Sequence, residues 1–236
     1  MYLLIHGAWH GGWCWHKVIA RLQKAGNRVR APDLPSLGRD RTPVDDITLQ
    51  TWTDFVGAQL DAAEPVILVG HSRAGAIISQ VAEELPHKVH TLVYLAAYLL
   101  ADGESVAQNA LRDEHSLVTP NMVVAADRKS CMLRESIVRD ALYAGCADED
   151  VVLAQALLAA EALAPLTTPI RISAANYGRV PRIYIECRRD RAVSLSEQRR
   201  MQSAMPCRQV ISMDTDHSPF FSAPDELTAH LLTLEG

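Results

Sequence analysis

The feature that most constrains this chain is the run Pro65-Val66-Ile67-Leu68-Val69-Gly70-His71-Ser72-Arg73-Ala74-Gly75-Ala76-Ile77-Ile78. Val66, Ile67, Leu68 and Val69 are unbroken, apolar and mostly β-branched, the pattern of a strand buried on both faces. From Ala74 to Glu84 the residues change to helix formers, with Ile77, Ile78, Val81 and Leu85 at helical spacing. The strand must therefore become a helix within about four residues, with one serine, Ser72, at the tip of the turn. Such a turn forces an unfavourable backbone conformation on Ser72 and draws positions 70 and 74 together. Gly70 and Ala74 are small enough for that approach, and Gly75 leaves room where the helix packs on the strand. The pattern G-x-S-x-G reads here G-x-S-x-A. A serine at a strand–helix turn is often only structural; the apolar strand before it and the helix after it are what point to an exposed nucleophile.

The alternation extends along the chain. Residues 2–5 read as a buried strand that runs into the glycine-rich turn 6–13. An amphipathic helix with Val18, Ile19 and Leu22 follows and stops near Gly26. Residues 29–31 read as a short strand and 32–38 as a loop. A helix from about Thr48 puts Leu49, Trp52, Phe55, Val56 and Leu60 on one face. After the central strand and its helix, residues 89–97 are the next strand. From 102 to 178 the alternation lapses into a helix-rich stretch, clearest over 151–163, with no evident strand. Strand 182–187, helix 195–205, strand 209–213 and a last helix 224–234 restore the order. The prediction is an α/β fold with about six mostly parallel strands covered by helices on both faces. Residues 102–178 are expected to be a helical cap inserted after the fourth strand, between core segments 1–101 and 179–236.

A chain of 236 residues with 48% apolar and 22% charged residues has the make-up of one soluble globular domain. Its formal charge of −5 gives no reason to expect nucleic acid or an anionic membrane as partner. No apolar run approaches the roughly 20 residues that span a bilayer. The N-terminus lacks the basic flank and cleavage region of a signal peptide, so the expected location is cytoplasmic. The five cysteines are odd in number, widely spaced and without C-x-x-C, which argues against a disulfide framework and a thiolate metal site.

Ligands of a parallel α/β sheet bind outside the carboxyl ends of its strands, so reacting groups should follow strands. A serine hydroxyl needs a base. Of nine histidines, His217 follows the last predicted strand, whereas His230 lies within a helix and His87 and His90 lie at the opposite edge. An imidazole base needs a carboxylate to hold its tautomer. Asp190, just after strand 182–187, gives the chain order Ser72, Asp190, His217; the rival is Asp102, after the preceding strand. Donors to a developing oxyanion would be the backbone N–H of Arg73 and, from the turn after the first strand, that of Ala8. The Arg73 side chain is expected to be solvated, with attraction of an anionic substrate as its other role. His6, His10 and His71 with Asp33 could converge as metal ligands, but no spacing among them is diagnostic, and the expectation is no metal.

With these residues assigned, the sequence resembles the α/β-hydrolase superfamily and, within it, the plant methylesterase and hydroxynitrile lyase group. The resemblance is carried by residues 6–15 (HGAWHGGWCW), 31–34 (APDL), 68–72 (LVGHS), 95–98 (LAAY), 184–187 (YIEC), Asp216-His217 and residues 146–150 (CADED). It implies the α/β-hydrolase fold and no cofactor, with Ser72, His217 and Asp190 on the family's triad and Ala8 and Arg73 on its oxyanion donors. Tyr98 matches an aromatic wall of the substrate pocket, and Gly7, Trp9 and Ser218 are the other positions expected at the substrate. Family members often form dimers, so a homodimer is the expectation here. Ala74, in place of the elbow's second glycine, and the middle of the cap depart from the family pattern.

The expected activity is a serine carboxylesterase acting on small carboxylic esters, aromatic and methyl esters among them. The enzymatic alternative is a hydroxynitrile lyase. By the resemblance, such a lyase carries a threonine where this chain has Gly7 and a lysine where it has Ser218. The non-enzymatic alternative is a small-molecule-binding protein on a hydrolase scaffold.

Overall fold

Short buried runs make the sheet. In chain order the strands are β1 (Tyr2–Ile5), β2 (Val29–Arg30), β3 (Val66–His71), β4 (Val89–Leu95), β5 (Met122–Val124), β6 (Ser130–Leu133), β7 (Glu161–Ala162), β8 (Arg182–Cys187) and β9 (Gln209–Met213). The computed structural model describes residues 1–60 and 64–235; residues 61–63 and 236 of the expected core segments lie outside it. Six strands form one parallel sheet in the order β2-β1-β3-β4-β8-β9. Every residue of β1 and β3 is buried, as strands near the middle of a sheet covered on both faces must be. The register runs from Tyr2 opposite Ile67 to Ile5 opposite Gly70, and His71 lies opposite Leu95. The carboxyl ends of β1, β3 and β4 are therefore level, and their following loops share one edge.

The α-helices are α1 (His16–Lys24), α2 (Leu49–Ala58), α3 (Ala74–Glu84), α4 (Val106–Arg112), α5 (Val138–Leu142), α6 (Asp148–Leu157), α7 (Leu163–Thr167), α8 (Leu195–Ala204), α9 (Pro219–Ser222) and α10 (Pro224–Leu232). α1 packs against α10, and α2 against α3. α1 buries Val18 and Leu22 and stops where Gly26 takes φ +88°, a conformation glycine reaches without a Cβ clash. α2 opens on a reciprocal cap, the Thr51 N–H donating to Thr48 Oγ1 at 3.0 Å and the Thr48 N–H to Thr51 Oγ1 at 3.2 Å.

The stretch between β4 and β8 departs from the helix-rich expectation. It contains a three-stranded antiparallel sheet, β5-β6-β7, beside α4 to α7. The helix expected over 151–163 begins earlier, at Asp148, where three acids in its first turn suit the positive end of the helix dipole. It also ends earlier, at Leu157. Glu161 and Ala162 belong to an alanine- and leucine-rich run of high helix propensity, yet they pair with Cys131 and Ser130. Tertiary pairing outweighs propensity there. The remaining boundaries differ by one or two residues: β2 ends at Arg30, β4 at Leu95, α8 at Ala204 and α10 at Leu232, followed by a 3-10 turn over Thr233–Glu235.

Candidate active site

β3 ends at His71 and α3 begins at Ala74, and between them Ser72 takes φ +56°. A non-glycine residue in the left-handed region is strained by on the order of 1–3 kcal/mol and stays there only if its neighbours hold it. The Ser72 N–H donates to Leu95 O at 3.2 Å, while Ser72 O accepts the N–H groups of Tyr98 at 3.0 Å and Gly75 at 3.1 Å. A Cβ on Gly70 would lie 3.0 Å from Ala74 O. One on Gly75 would lie 2.1 Å from Tyr98 O. The closest contact at Gly75 is therefore with the loop after β4, not with the strand expected from the sequence.

The loops after β8 and β9 meet. His217 Nδ1 donates to Asp190 Oδ2 at 2.7 Å, and both residues are buried. The other Asp190 oxygen accepts the N–H groups of Ala192 at 2.7 Å and Val193 at 3.0 Å. Burial pushes the Asp190 carboxyl up, opposed by His217 and by these N–H bonds. The rival Asp102 is exposed and holds the Ile172 N–H at 2.9 Å. With Nδ1 spent on Asp190, His217 keeps Nε2 for chemistry. No hydrogen bond joins Ser72 to His217 among the described residues; contacts of this kind tighten when substrate binds.

A cavity of about 180 Å³ opens over Ser72 and His217. Ala8, Trp9, Arg73 and Tyr98 line it from the sheet edge, and Val106, Leu142, Leu163 and Leu166 from the segment between β4 and β8. The backbone N–H groups of Ala8 and Arg73 have no acceptor among the described residues. Burial raises the Tyr98 hydroxyl, and Asp113 and Asp190 add to the effect, so a neutral phenol stands in the wall. Two positions expected at the substrate are set back from this wall. A Cβ on Gly7 would lie 2.7 Å from His71 Nδ1 and 3.0 Å from Ser72 Cβ, so there is no open space at that position. Ser218, directly after His217, is buried, its N–H on Asp216 Oδ1 at 3.3 Å.

Arg73 also corrects an expectation, because its side chain is buried and not solvated. Its guanidinium pairs with Glu161, donates from Nη2 to Gly7 O at 3.2 Å, and lies 4.1 Å from the centre of the Trp52 ring. The histidines and the acid considered as metal ligands are engaged by the protein. His6 Nδ1 donates to Gly7 O at 2.9 Å and Nε2 accepts the Leu34 N–H at 3.1 Å. His10 Nδ1 donates to Ala8 O at 2.6 Å and Nε2 accepts the Tyr143 hydroxyl at 2.6 Å. His71 Nε2 donates to His217 O at 2.8 Å, and its ring lies 4.5 Å from that of His217. Asp33 accepts the Gly12 N–H at 2.7 Å and the Arg39 N–H at 3.0 Å.

Three residues the sequence did not single out support the site. Gln198 Nε2 reaches Asp190 Oδ2 at 3.3 Å and Val193 O at 2.8 Å. Asp113 takes the Ser194 N–H at 2.8 Å and so holds the loop that carries Asp190. Glu161 has the only sequence signal of the three, being the one charge in the run 151–166.

The alpha/beta hydrolase family matches residues 2–230. Methylesterase 7 of Arabidopsis thaliana is 34% identical over 247 residues, taking in 99% of this chain and 95% of that protein. Methyl jasmonate esterase 1 of Vitis vinifera is 32% identical over 248 residues, with 98% and 94% covered. Two chloroplastic relatives from Arabidopsis thaliana are longer, and the chain spans 63% of one and 55% of the other. A solved pyrethroid hydrolase from Sphingobium faniae JZ-2 superposes with a TM-score of 0.88 at 29% identity, over 98% of this chain and 95% of that one. The match spans nearly the whole sheet and its strand-end loops, and the chain belongs to the α/β-hydrolase family.

Proposed function

We propose that the chain is a serine carboxylesterase for uncharged esters with apolar or aromatic parts. Ser72 Oγ attacks the ester carbonyl carbon while His217 Nε2 takes its proton. The oxyanion accepts from the N–H groups of Ala8 and Arg73. As the carbon–oxygen bond to the leaving group breaks, His217 returns the proton and the alcohol departs. Water, deprotonated by the same imidazole, then frees the acid from Ser72. Asp190 keeps the proton on Nδ1 throughout. Trp9 and Tyr98 form part of the substrate wall, and residues 102–178 act as its cap. The observation that carries this reading is the shared cavity of Ser72 and His217, with His217 Nδ1 already committed to Asp190. Relatives named as a methylesterase and a methyl jasmonate esterase support the ester chemistry.

The lyase reading is disfavoured by charge. Cyanide leaves as an anion and gains from a cation beside it. Ser218 stands at the lysine position, and the guanidinium of Arg73, which could have replaced that lysine, is paired with Glu161. The test is a panel of methyl, aryl and longer-chain esters, including 4-nitrophenyl acetate, with mandelonitrile alongside. Ester hydrolysis should vanish in Ser72→Ala, a loss on the order of 10⁶ in kcat, and a serine-directed phosphonate should label only the wild type. Cyanide release that depends on Ser72, without ester turnover, would overturn the proposal.

A further inference from the structure

The buried pair Arg73–Glu161 takes no part in the chemistry above. Arg73 is 2% exposed and Glu161 0%. Taking two charges out of water is expensive, and an apolar pair of similar volume is often as stable or more so. Burial raises the Glu161 carboxyl and lowers the Arg73 guanidinium, and each is the strongest influence restoring the other's charge. Stability alone is therefore a poor reason for an arginine beside Ser72.

The geometry gives a better one. One Glu161 oxygen accepts from Arg73 Nε, and the other accepts the backbone N–H of Trp9 at 3.0 Å. Arg73 directly follows Ser72, and Trp9 directly follows Ala8. A single carboxylate thus grips the Arg73 side chain and the residue next to Ala8, and Ala8 and Arg73 are the positions at the cavity whose N–H groups have no acceptor among the described residues. The grip is reinforced on the Trp9 side. Trp9 O accepts the Ala159 N–H at 2.9 Å, and Trp9 Nε1 donates to Cys131 O at 3.2 Å. Trp9 itself sits at φ +64°, where a bulky residue stays only if its surroundings fix it.

We propose that Glu161 is a positioning residue for the oxyanion hole. From β7 it ties the loop after β1 and the elbow after β3 into one frame, and so sets the spacing between the N–H groups of Ala8 and Arg73. The proposal rests on the esterase reading. Oxyanion donors act because they are preorganised where charge develops, so loosening the frame weakens the transition state and spares ground-state binding.

The experiment compares wild type, Ser72→Ala, Glu161→Gln and the double variant R73M/E161Q. The double variant removes both buried charges but keeps an acceptor for Trp9. On one aryl ester, both Glu161 variants should lower kcat by about 10²-fold while KM stays within about threefold. An alkyl trifluoromethyl ketone, which forms a tetrahedral adduct on serine, should bind about 10²-fold more weakly to both. The matching methyl ketone should bind as to wild type. The double variant should regain the thermal midpoint lost in Glu161→Gln without regaining kcat. If kcat returns together with the midpoint, the pair is structural and the proposal falls. It falls equally if KM rises while trifluoromethyl ketone binding is unchanged. Wild-type turnover that persists in Ser72→Ala would remove the esterase reading, and the oxyanion frame with it.

Discussion

Asp190 and Asp102 both follow strands, and only contact geometry separates them. Asp190 is buried against His217, while Asp102 binds a backbone N–H at the surface. Asp190→Asn keeps the shape but allows the wrong imidazole tautomer, and should lower kcat by about 10⁴-fold. Asp102→Asn should leave kcat within about twofold, since surface changes away from such features have small effects. Steady-state rates on one ester decide between them, and the reverse ranking would move the acid to Asp102. That Ser72, Asp190 and His217 each lie just beyond the carboxyl end of a strand was legible in the sequence, because strand ends follow from apolar runs. Glu161 showed only as a lone charge in a mostly apolar run, with no sign of its partner, and Asp113 and Gln198 were not legible. Their importance comes from partners 88, 81 and 8 residues away, and no local pattern encodes such meetings. The burial of Arg73 was missed for the same reason: the acid that takes it out of solvent lies on a strand that local propensity reads as helix.

At the scale of elements, the strand–helix elbow depends on one absent side chain. A Cβ on Gly75 would press on Tyr98 O at 2.1 Å and on its carbonyl carbon at 2.9 Å, both backbone atoms. Relief requires moving the loop after β4. Gly75→Ala should therefore destabilise the protein by about 1–3 kcal/mol, the usual penalty of overpacking, and reduce turnover through the displaced Ser72. Gly26→Ala meets nothing within 4 Å and should cost only about 1 kcal/mol of backbone strain. Urea midpoints of the two variants test the contrast; equal losses would remove the packing argument. The main strands of the sheet were readable because β1, β3 and β4 each carry an unbroken apolar run of about four residues or more. β5 and β7 span three and two residues, too short for a period, and they exist only because β6 lies between them.

Across the whole molecule, neutral histidines set the response to acid. His6, His10 and His71 are buried, and burial lowers all three imidazoles, His10 to about 4. The unfolded chain takes up these protons near the ordinary histidine value of about 6.5. Their contribution is complete above that pH and is lost as pH falls; for His10 the loss continues to about 4 and amounts to on the order of 3 kcal/mol. Asp190 and Glu161 act in the opposite sense, because burial raises both carboxyls and their folded forms hold protons longer as pH rises. The net expectation is an unfolding free energy that climbs between about pH 4.5 and 7. His10→Gln should remove about one proton from that slope. Urea unfolding across the window measures it, and an unchanged slope in the variant would count against a neutral His10.

The clamp on Trp9 also has a consequence in time. Trp9 and Glu161 are 152 residues apart, and His71 and His217 are 146 apart. A ribosome adding about 5–20 residues per second needs roughly 8–30 s to cover the first interval. For that period the nascent chain carries a tryptophan turn without its anchor, and over the last 88 residues of it an arginine without its carboxylate, with β1 and β3 by then free to pair. Chaperone contacts with the emerging chain should concentrate in this interval, before translation supplies the residue that closes the frame.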